Sequence, residues 1–206
     1  MNRQKERSSQ STRRLLDAAG ELISEGGYTA MTLAAVGERA GYSRGLVTAR
    51  FGSKRELVEA LVERITTVWN ARYVQPGTVG RSGLDGLLLT LDAIRAQSER
   101  DPRDLRTLYA LQFEALGQVP ELRSHFVEFH RTMRADMAGF VRRGLRDGSV
   151  VAGTSPRAEG AAVVGALRGI GYQWLLDPDE IDPTALLSHL IVCLDRRLRA
   201  PQEATA

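Results

Sequence analysis

The stretch that decides the fold is Thr32-Leu-Ala-Ala-Val-Gly-Glu-Arg-Ala-Gly-Tyr-Ser43, followed by Arg44-Gly-Leu-Val-Thr-Ala-Arg-Phe51. Thr32 is a preferred helix N-cap, and Gly41 supplies a tight turn after a first short helix. Ser43 can cap a second short helix, in which Val47 and Phe51 lie one turn apart and are expected to be buried. Two short helices joined by a glycine turn are typical of a helix-turn-helix, whose second helix can enter the major groove of DNA.

Helical periodicity continues on both sides of this motif. Apolar residues recur at three- and four-residue spacing, which predicts an all-α fold of about nine helices. Besides the two short helices, we expect helices over about 11–25, 54–71, 84–98, 102–117, 120–147, 156–176 and 183–199. The predicted domains are a flexible basic arm (1–10), a three-helix helix-turn-helix DNA-binding domain (11–53), a linking helix (54–75) and a C-terminal helical ligand-binding and dimerisation domain (76–206).

Composition places the chain among globular proteins and locates its positive charge. The 206 residues are 43% hydrophobic and 26% charged, and residues 1–72 hold 12 Lys and Arg against 8 Asp and Glu. The basic surplus therefore coincides with the motif. A polar N-terminus and the lack of a long apolar run predict a cytoplasmic protein with no membrane partner. Cys193 stands alone, and we interpret it as a small buried hydrophobe, with a redox sensor as the alternative.

The alternatives are two other classes of protein, an all-helical enzyme and a protein–protein adaptor. An all-helical enzyme has little support, because the sequence lacks a nucleophile elbow, a His-Glu-x-x-His motif, a phosphate-binding loop and a cysteine pair. His125, His130 and His189 do not share a helix face, so no catalytic residue, metal or cofactor is expected. A protein–protein adaptor without DNA binding would explain the apolar C-terminal helices but not the segment from Thr32 to Lys54.

The motif resembles the N-terminal pattern of the TetR (tetracycline-repressor-like, TetR/AcrR) family of transcriptional regulators. The matching positions are Thr32, Val36, Ala40, Gly41, Ser43, Gly45, Phe51, Ser53, Lys54 and Leu57, with Gly27-Tyr28 upstream. Three positions depart from the pattern: Gly37 replaces the usual alanine, Thr48 a phosphate-contacting tyrosine and Arg50 a histidine. The resemblance implies a DNA-binding repressor, not an enzyme, that releases a palindromic operator in double-stranded DNA when a small, largely apolar ligand binds.

Position within the resembling motif gives the expected DNA-binding residues. They are Thr32, Ser43, Arg44, Gly45, Leu46, Thr48, Ala49, Arg50 and Lys54. Arg44 is expected to read a guanine edge, or else to be a solvated surface arginine, while Leu46 and Ala49 offer apolar contact to thymine methyl groups. Thr32, Ser43, Thr48, Arg50 and Lys54 are expected to hold the phosphate backbone. The basic arm is either a minor-groove element or a solubilising tail.

The C-terminal helices suggest a homodimer and a ligand site. The last two helices are apolar with small residues, which is typical of one half of a four-helix dimer bundle, as the resemblance also implies. The expected interface residues are Val164, Leu167, Ile170, Leu187, Leu190, Ile191 and Leu194. A second set either lines a pocket for an unknown small-molecule effector or forms plain core. It consists of Tyr109, Gln112, Phe113, Leu116, Phe126, Met133, Met137 and Trp174.

Overall fold

The computed structural model describes residues 2–117 and 119–201, with side chains from Ser8 onward, and these residues form nine α-helices. The expected all-α fold class is confirmed. The helices are α1 (Asn2–Ala30), α2 (Leu33–Ala40), α3 (Arg44–Phe51), α4 (Lys54–Trp69), α5 (Gly83–Arg100), α6 (Arg103–Glu114), α7 (Arg123–Asp147), α8 (Pro156–Leu176) and α9 (Pro183–Leu198). Within the described ranges, none of these helices has the length and apolar character needed to cross a bilayer.

The first helix is longer than the sequence predicted. α1 begins at Asn2, so the backbone of residues 2–10, predicted as a flexible arm, is helical. The reason is local, because this segment is free of proline and glycine and contains Arg, Gln, Lys and Glu, which are good helix formers. At the other end, Gly27 has a φ of 72° and interrupts the regular helix before Ala30.

The chain divides into two compact units, and the first comprises Met1–Thr66 and Arg103–Phe126. In this unit α2 packs against α1 and α3 packs against α2. The fully buried side chains include Leu15, Ala19, Ile23, Val36, Val47, Leu57, Leu61 and Leu111. The helix-turn-helix is therefore built on one continuous apolar core.

Placement of α6 in this first unit differs from the predicted domain division, which assigned everything after residue 75 to a C-terminal domain. The Thr107 hydroxyl donates a hydrogen bond to the Gly20 carbonyl at 2.9 Å. Near the start of α6, Arg103 Nη1 lies 3.5 Å from Glu21 Oε1. Both contacts join residues more than 80 positions apart, and helical periodicity alone does not reveal such pairings.

The second unit comprises Thr67–Pro102 and Val127–Ala206. In it α5 and α8 both pack against α9. The start of α5 presses against α7, since a Cβ on Gly83 would lie 2.0 Å from the Gly144 nitrogen. Buried Glu159 accepts hydrogen bonds from both terminal nitrogens of Arg197, at 2.7 and 2.8 Å, which ties α8 to α9.

Candidate functional site

The first helix of the helix-turn-helix begins and ends as predicted. Thr32 has an extended backbone, and its side-chain oxygen accepts a hydrogen bond from the Ala35 N–H at 3.1 Å. Gly41 adopts a left-handed φ of 75°, and its N–H donates to the Glu38 carbonyl at 3.1 Å. Because glycine takes this conformation without a steric cost, the chain can reverse directly after α2.

The structure explains why position 37 is glycine, where the family usually has alanine. A Cβ at this position would lie 2.8 Å from the Tyr42 carbonyl oxygen and 3.1 Å from the Arg44 nitrogen. The Tyr42 N–H also donates to the Gly37 carbonyl at 2.7 Å, which draws the turn tightly over α2. The turn in this chain therefore leaves no room for a side chain at residue 37.

In the second helix of the motif, most of the predicted DNA-binding residues are exposed to solvent. Ser43 Oγ accepts from the Leu46 N–H at 3.2 Å and caps α3 as predicted. Val47 is fully buried, but Phe51 is only half-buried, because α3 ends there and Gly52 turns the chain away. The exposed predicted DNA-binding residues are Thr32, Ser43, Arg44, Gly45, Thr48, Ala49 and Arg50. Leu46 is half-buried, so only part of its side chain is available to a base.

Arg50 makes a contact that the sequence did not predict. Its Nη1 donates to the Ser8 hydroxyl at 2.6 Å, which ties the end of α3 to the amino-terminal part of α1. A guanidinium has five N–H donors, so this bond leaves others for a phosphate. Arg50 therefore positions α1 and remains available at the exposed surface.

Lys54 at the start of α4 is bound within the protein. Its Nζ donates to the Tyr28 carbonyl at 2.7 Å and lies 3.9 Å from the centroid of the Tyr28 ring. Burial lowers the pKa of Lys54, and the nearby Glu114 carboxylate opposes that shift. The ammonium consequently ties the start of α4 to Tyr28, directly after the break in α1 at Gly27.

Arg39 anchors the helix-turn-helix to α1, a role that sequence reasoning missed. Its two terminal nitrogens each lie 2.9 Å from an oxygen of Glu25, and Nη1 also lies 3.3 Å from Glu21. Hydrogen bonding to Arg39 lowers the pKa of Glu25. The signal in the sequence was the pair Glu21 and Glu25, which share one face of α1.

The eight predicted ligand-binding residues fall in different units. Met133, Met137 and Trp174 are buried in the second unit, whereas the other five belong to the first. Of these five, Tyr109, Gln112 and Phe126 are buried, but Phe113 is 37% and Leu116 75% exposed.

Phe113 and Leu116 are not part of the core of the first unit, so the plain-core alternative is wrong for these two residues, and their place in a ligand pocket stays a prediction. Leu116 lies in the turn that follows α6, which ends at Glu114, so helical spacing no longer holds its side chain against the core. Phe113 lies at the edge of the face of α6 that Leu105, Leu108, Tyr109 and Gln112 bury.

Four of the seven predicted dimer residues are buried within their own chain, and the other three stay a prediction. Val164, Leu167, Leu187 and Leu194 are buried inside their own chain, and Ile170, Leu190 and Ile191 are half-buried. Because α8 is apolar nearly all round, periodicity does not distinguish its inner face from its outer one. The exposed residues of these helices include Ala161, Ala162, Gly165, Gly169, Tyr172, Leu176, Ala185, Val192 and Cys193.

Cys193 is exposed, so its interpretation as a small buried hydrophobe is wrong. Its Sγ lies 3.3 Å from His189 Nε2, one turn earlier on α9. Among the residues from 2 to 117 and 119 to 201, no cluster of three His, Cys, Asp or Glu side chains is arranged to hold a metal ion.

Comparisons with known proteins match both halves of the chain. A sequence family described as "Bacterial regulatory proteins, tetR family" matches residues 15–61, and one described as "BetI-type transcriptional repressor, C-terminal" matches residues 84–199. The transcriptional regulator TtgR of Pseudomonas putida is 26% identical over 191 residues, which cover 88% of each protein.

Solved structures show the same fold. A TetR transcriptional regulator from Chloroflexus aurantiacus aligns with a TM-score of 0.80 at 17% identity, covering 95% of this chain and all of that one. SmeT, the repressor of the Stenotrophomonas maltophilia multidrug efflux pump SmeDEF, aligns with a TM-score of 0.73 at 23% identity, covering 91% and 90% of the two chains.

Proposed function

Because this chain belongs to the TetR family of DNA-binding transcriptional regulators, which are not enzymes, we propose that it is a homodimeric repressor. It releases a palindromic operator when a small, largely apolar effector binds to its C-terminal part. The observation that carries the proposal is the capped pair α2 and α3, joined at Gly41, with an exposed outer face on α3.

Sequence reading is assigned to α3. Arg44 is exposed on the first turn of this helix and reads a guanine edge, while Ala49 and the accessible part of Leu46 contact thymine methyl groups. Gly45 lets the backbone approach the DNA closely.

Phosphate contacts are assigned to the residues around α3. The Thr32 and Ser43 hydroxyls accept backbone hydrogen bonds, which leaves each hydroxyl proton free to be donated to a phosphate oxygen. Thr48 and Arg50 are exposed beside them. Lys54 adds a positive charge at the N-terminus of α4.

Dimerisation is assigned to the outer faces of α8 and α9. A Cβ built on Gly165 or Gly169 would meet no atom within 4 Å, so this face of α8 is open in the single chain. Small residues let another helix approach closely, and Tyr172 and Leu176 on the same face are 51% and 71% exposed. For a two-fold dimer, we expect the two α3 helices to read half-sites that lie one helical turn of DNA, or a multiple of it, apart.

Selection from a random-sequence DNA pool tests the function. We expect enrichment of a palindrome whose half-sites are separated by about 10 base pairs or a multiple of that distance. The matched control is Ala49→Glu, which puts a carboxylate on the exposed face of α3 and should abolish enrichment without loss of helical circular dichroism. A failure of the unaltered protein to enrich any sequence would support the adaptor alternative instead.

Repression and release require a second measurement. A thermal-shift screen over chemical classes should find a compound that raises the unfolding temperature and also dissociates the selected operator, because only a ligand that prefers one arrangement shifts the equilibrium. Compounds that stabilise the protein without releasing DNA would contradict the release mechanism.

A further inference from the structure

A buried polar contact lies between Trp69 and Asp136 in the second unit. Trp69 is the last residue of α4 and is 6% exposed, and its indole Nε1 has no hydrogen-bond partner in the described chain. Asp136, on α7, is half-buried, and its Oδ2 is likewise shielded from solvent without a partner there. The indole N–H lies close enough to lower the pKa of the Asp136 carboxyl but outside the geometry of a hydrogen bond.

Within the part of the chain that the structure describes, no cation is paired with the Asp136 carboxyl, although a buried acid normally has one. Burial raises its pKa, and the Trp69 indole is the group that opposes this shift. His130 on the same helix supplies no charge near pH 7, because burial and the nearby Arg168 and Arg134 lower its pKa to about 4. Buried carboxylates are stable when they are paired and hydrogen-bonded, so a positively charged N–H donor is what this position would accept.

The Trp69 indole belongs to a cluster of buried aromatic rings. The Trp69 ring centroid lies 5.3 Å from that of Tyr73 and 5.8 Å from that of Phe129, the latter in an edge-on arrangement. All three side chains are less than one-tenth exposed. On α7, Phe129 and Asp136 are seven residues apart and therefore share one helix face. Aromatic faces attract cations most strongly where water is excluded.

The backbone beside Trp69 has an unusual form. Residues Asn70–Val74 make a π-helical turn, in which the Gln75 N–H donates to the Asn70 carbonyl. Such turns are rare and occur often at functional sites. Tyr73 belongs to this turn, so a molecule held against Trp69 and Tyr73 acts on the carboxyl end of α4, the helix that begins at Lys54.

We propose that the effector is an organic ammonium ion with an apolar, aromatic body. Its N–H donates to Asp136 Oδ2, and its positive charge lies against the rings of Trp69, Tyr73 and Phe129. This inference rests on the proposed function, because it names the chemical class of the effector and adds one positive charge to an otherwise apolar molecule.

Three soluble probes with the same phenyl ring test the charge requirement. They are 2-phenylethylamine, 2-phenylethanol and phenylacetate, titrated by calorimetry at pH 7 into the full-length protein. We expect the amine to bind at least about tenfold more tightly than the alcohol, and phenylacetate to bind most weakly, because charge-assisted hydrogen bonds are about twice as strong as neutral ones.

Variants of the protein then test whether Asp136 is the group that prefers the charged amine. Asp136→Asn should lower the affinity for the amine to that of the alcohol, whereas Glu128→Gln, at an exposed carboxylate on the same helix, should leave it unchanged. The chain has two tryptophans, so a Trp174→Phe variant reports on Trp69 alone, and its emission should change with the amine.

The inference is overturned if no probe binds, if the alcohol binds as tightly as the amine, or if Asp136→Asn retains the preference for the amine. The probe titrations need no DNA, so the two proposals fail separately. A palindrome enriched by a protein with no amine preference refutes the effector class alone. An amine preference in a protein that selects no DNA refutes the repressor function alone.

Discussion

Lys54 Nζ donates to the backbone carbonyl of Tyr28 at 2.7 Å and stands 3.9 Å from the centroid of its ring. The ammonium has three N–H groups, so one bond to Tyr28 leaves others for DNA. We therefore expect Lys54→Ala to have two effects. It should reduce the slope of log affinity against log salt by about one phosphate contact, and it should lower the free energy of unfolding by about 1 kcal/mol.

Operator titrations at several salt concentrations and urea unfolding measure these two effects. Arg131→Ala, at an exposed arginine of the second unit, is the control and should change neither quantity. A loss of stability with an unchanged salt slope would show that Lys54 is purely structural.

Arg44 is assigned to base recognition, whereas Arg39 holds the helix-turn-helix against α1. Arg44 is exposed at the start of α3, so Arg44→Ala should relax the preference at one base pair by about 1–3 kcal/mol. Arg39 is held by Glu21 and Glu25, but these ion pairs are exposed, so Arg39→Ala should lower stability only slightly and leave base preference intact. Binding to single-base operator variants distinguishes them, and unchanged specificity in Arg44→Ala would make Arg44 a solvated surface residue.

Gly37 and Gly45 form a matched pair within the motif. Gly37→Ala places a methyl group 2.8 Å from the Tyr42 carbonyl oxygen and should cost about 1–3 kcal/mol of stability. Gly45→Ala meets its nearest atom, Ser43 Oγ, at 3.7 Å and should not destabilise α3, because alanine favours a helix. Urea unfolding measures the stability of both variants. Equal stability would mean that the turn can move to accommodate a methyl group at residue 37.

Gly169 tests the outer face of α8. A side chain there meets nothing in the single chain, so Gly169→Arg should leave the monomer folded but block the approach of a second helix. We expect sedimentation to show a monomer that no longer binds the palindrome with high affinity. Ala135→Arg, at an exposed position of α7, should remain dimeric. A dimeric Gly169→Arg protein would place the interface elsewhere.

His130 gives the stability a predictable pH dependence. Burial and two arginines lower its pKa to about 4, whereas the unfolded chain has the usual value of about 6.5. Between these values the unfolded state binds more protons, so this contribution is complete above about pH 6.5 and is lost as the pH falls towards 4. His130→Gln should therefore lose less stability between pH 7.5 and 5 than the unaltered protein does.

Urea midpoints at the two pH values provide the measurement for His130. His125→Gln, at an exposed histidine of the same helix, serves as the control and should keep the original dependence. An identical pH dependence in His130→Gln would assign the effect to other groups.

The helix-turn-helix was predictable because its determinants are local. Thr32 and Ser43 each cap a helix through an N–H three residues away, and Gly41 turns the chain with its own backbone. A capping residue and its partner lie within one turn of sequence, so residue type and spacing suffice. The same holds for the all-α class, which follows from helical periodicity.

Contacts between distant segments were not predictable in this way. The docking of α6 through Thr107 and Gly20 joins residues 87 positions apart. The unsatisfied pair Trp69 and Asp136 likewise depends on where two helices meet. For the outer face of α8, the sequence offers an apolar residue in almost every direction, and packing against α7 and α9 decides which side is buried.

For this chain, then, the sequence by itself determined the fold class, the family and the position of the helix-turn-helix, because caps, turns and periodicity act over a few residues. The tertiary structure decided which surfaces remain open, how Lys54 and Arg50 are held, and which polar groups are buried together. Those properties depend on side chains that meet only after the helices have packed.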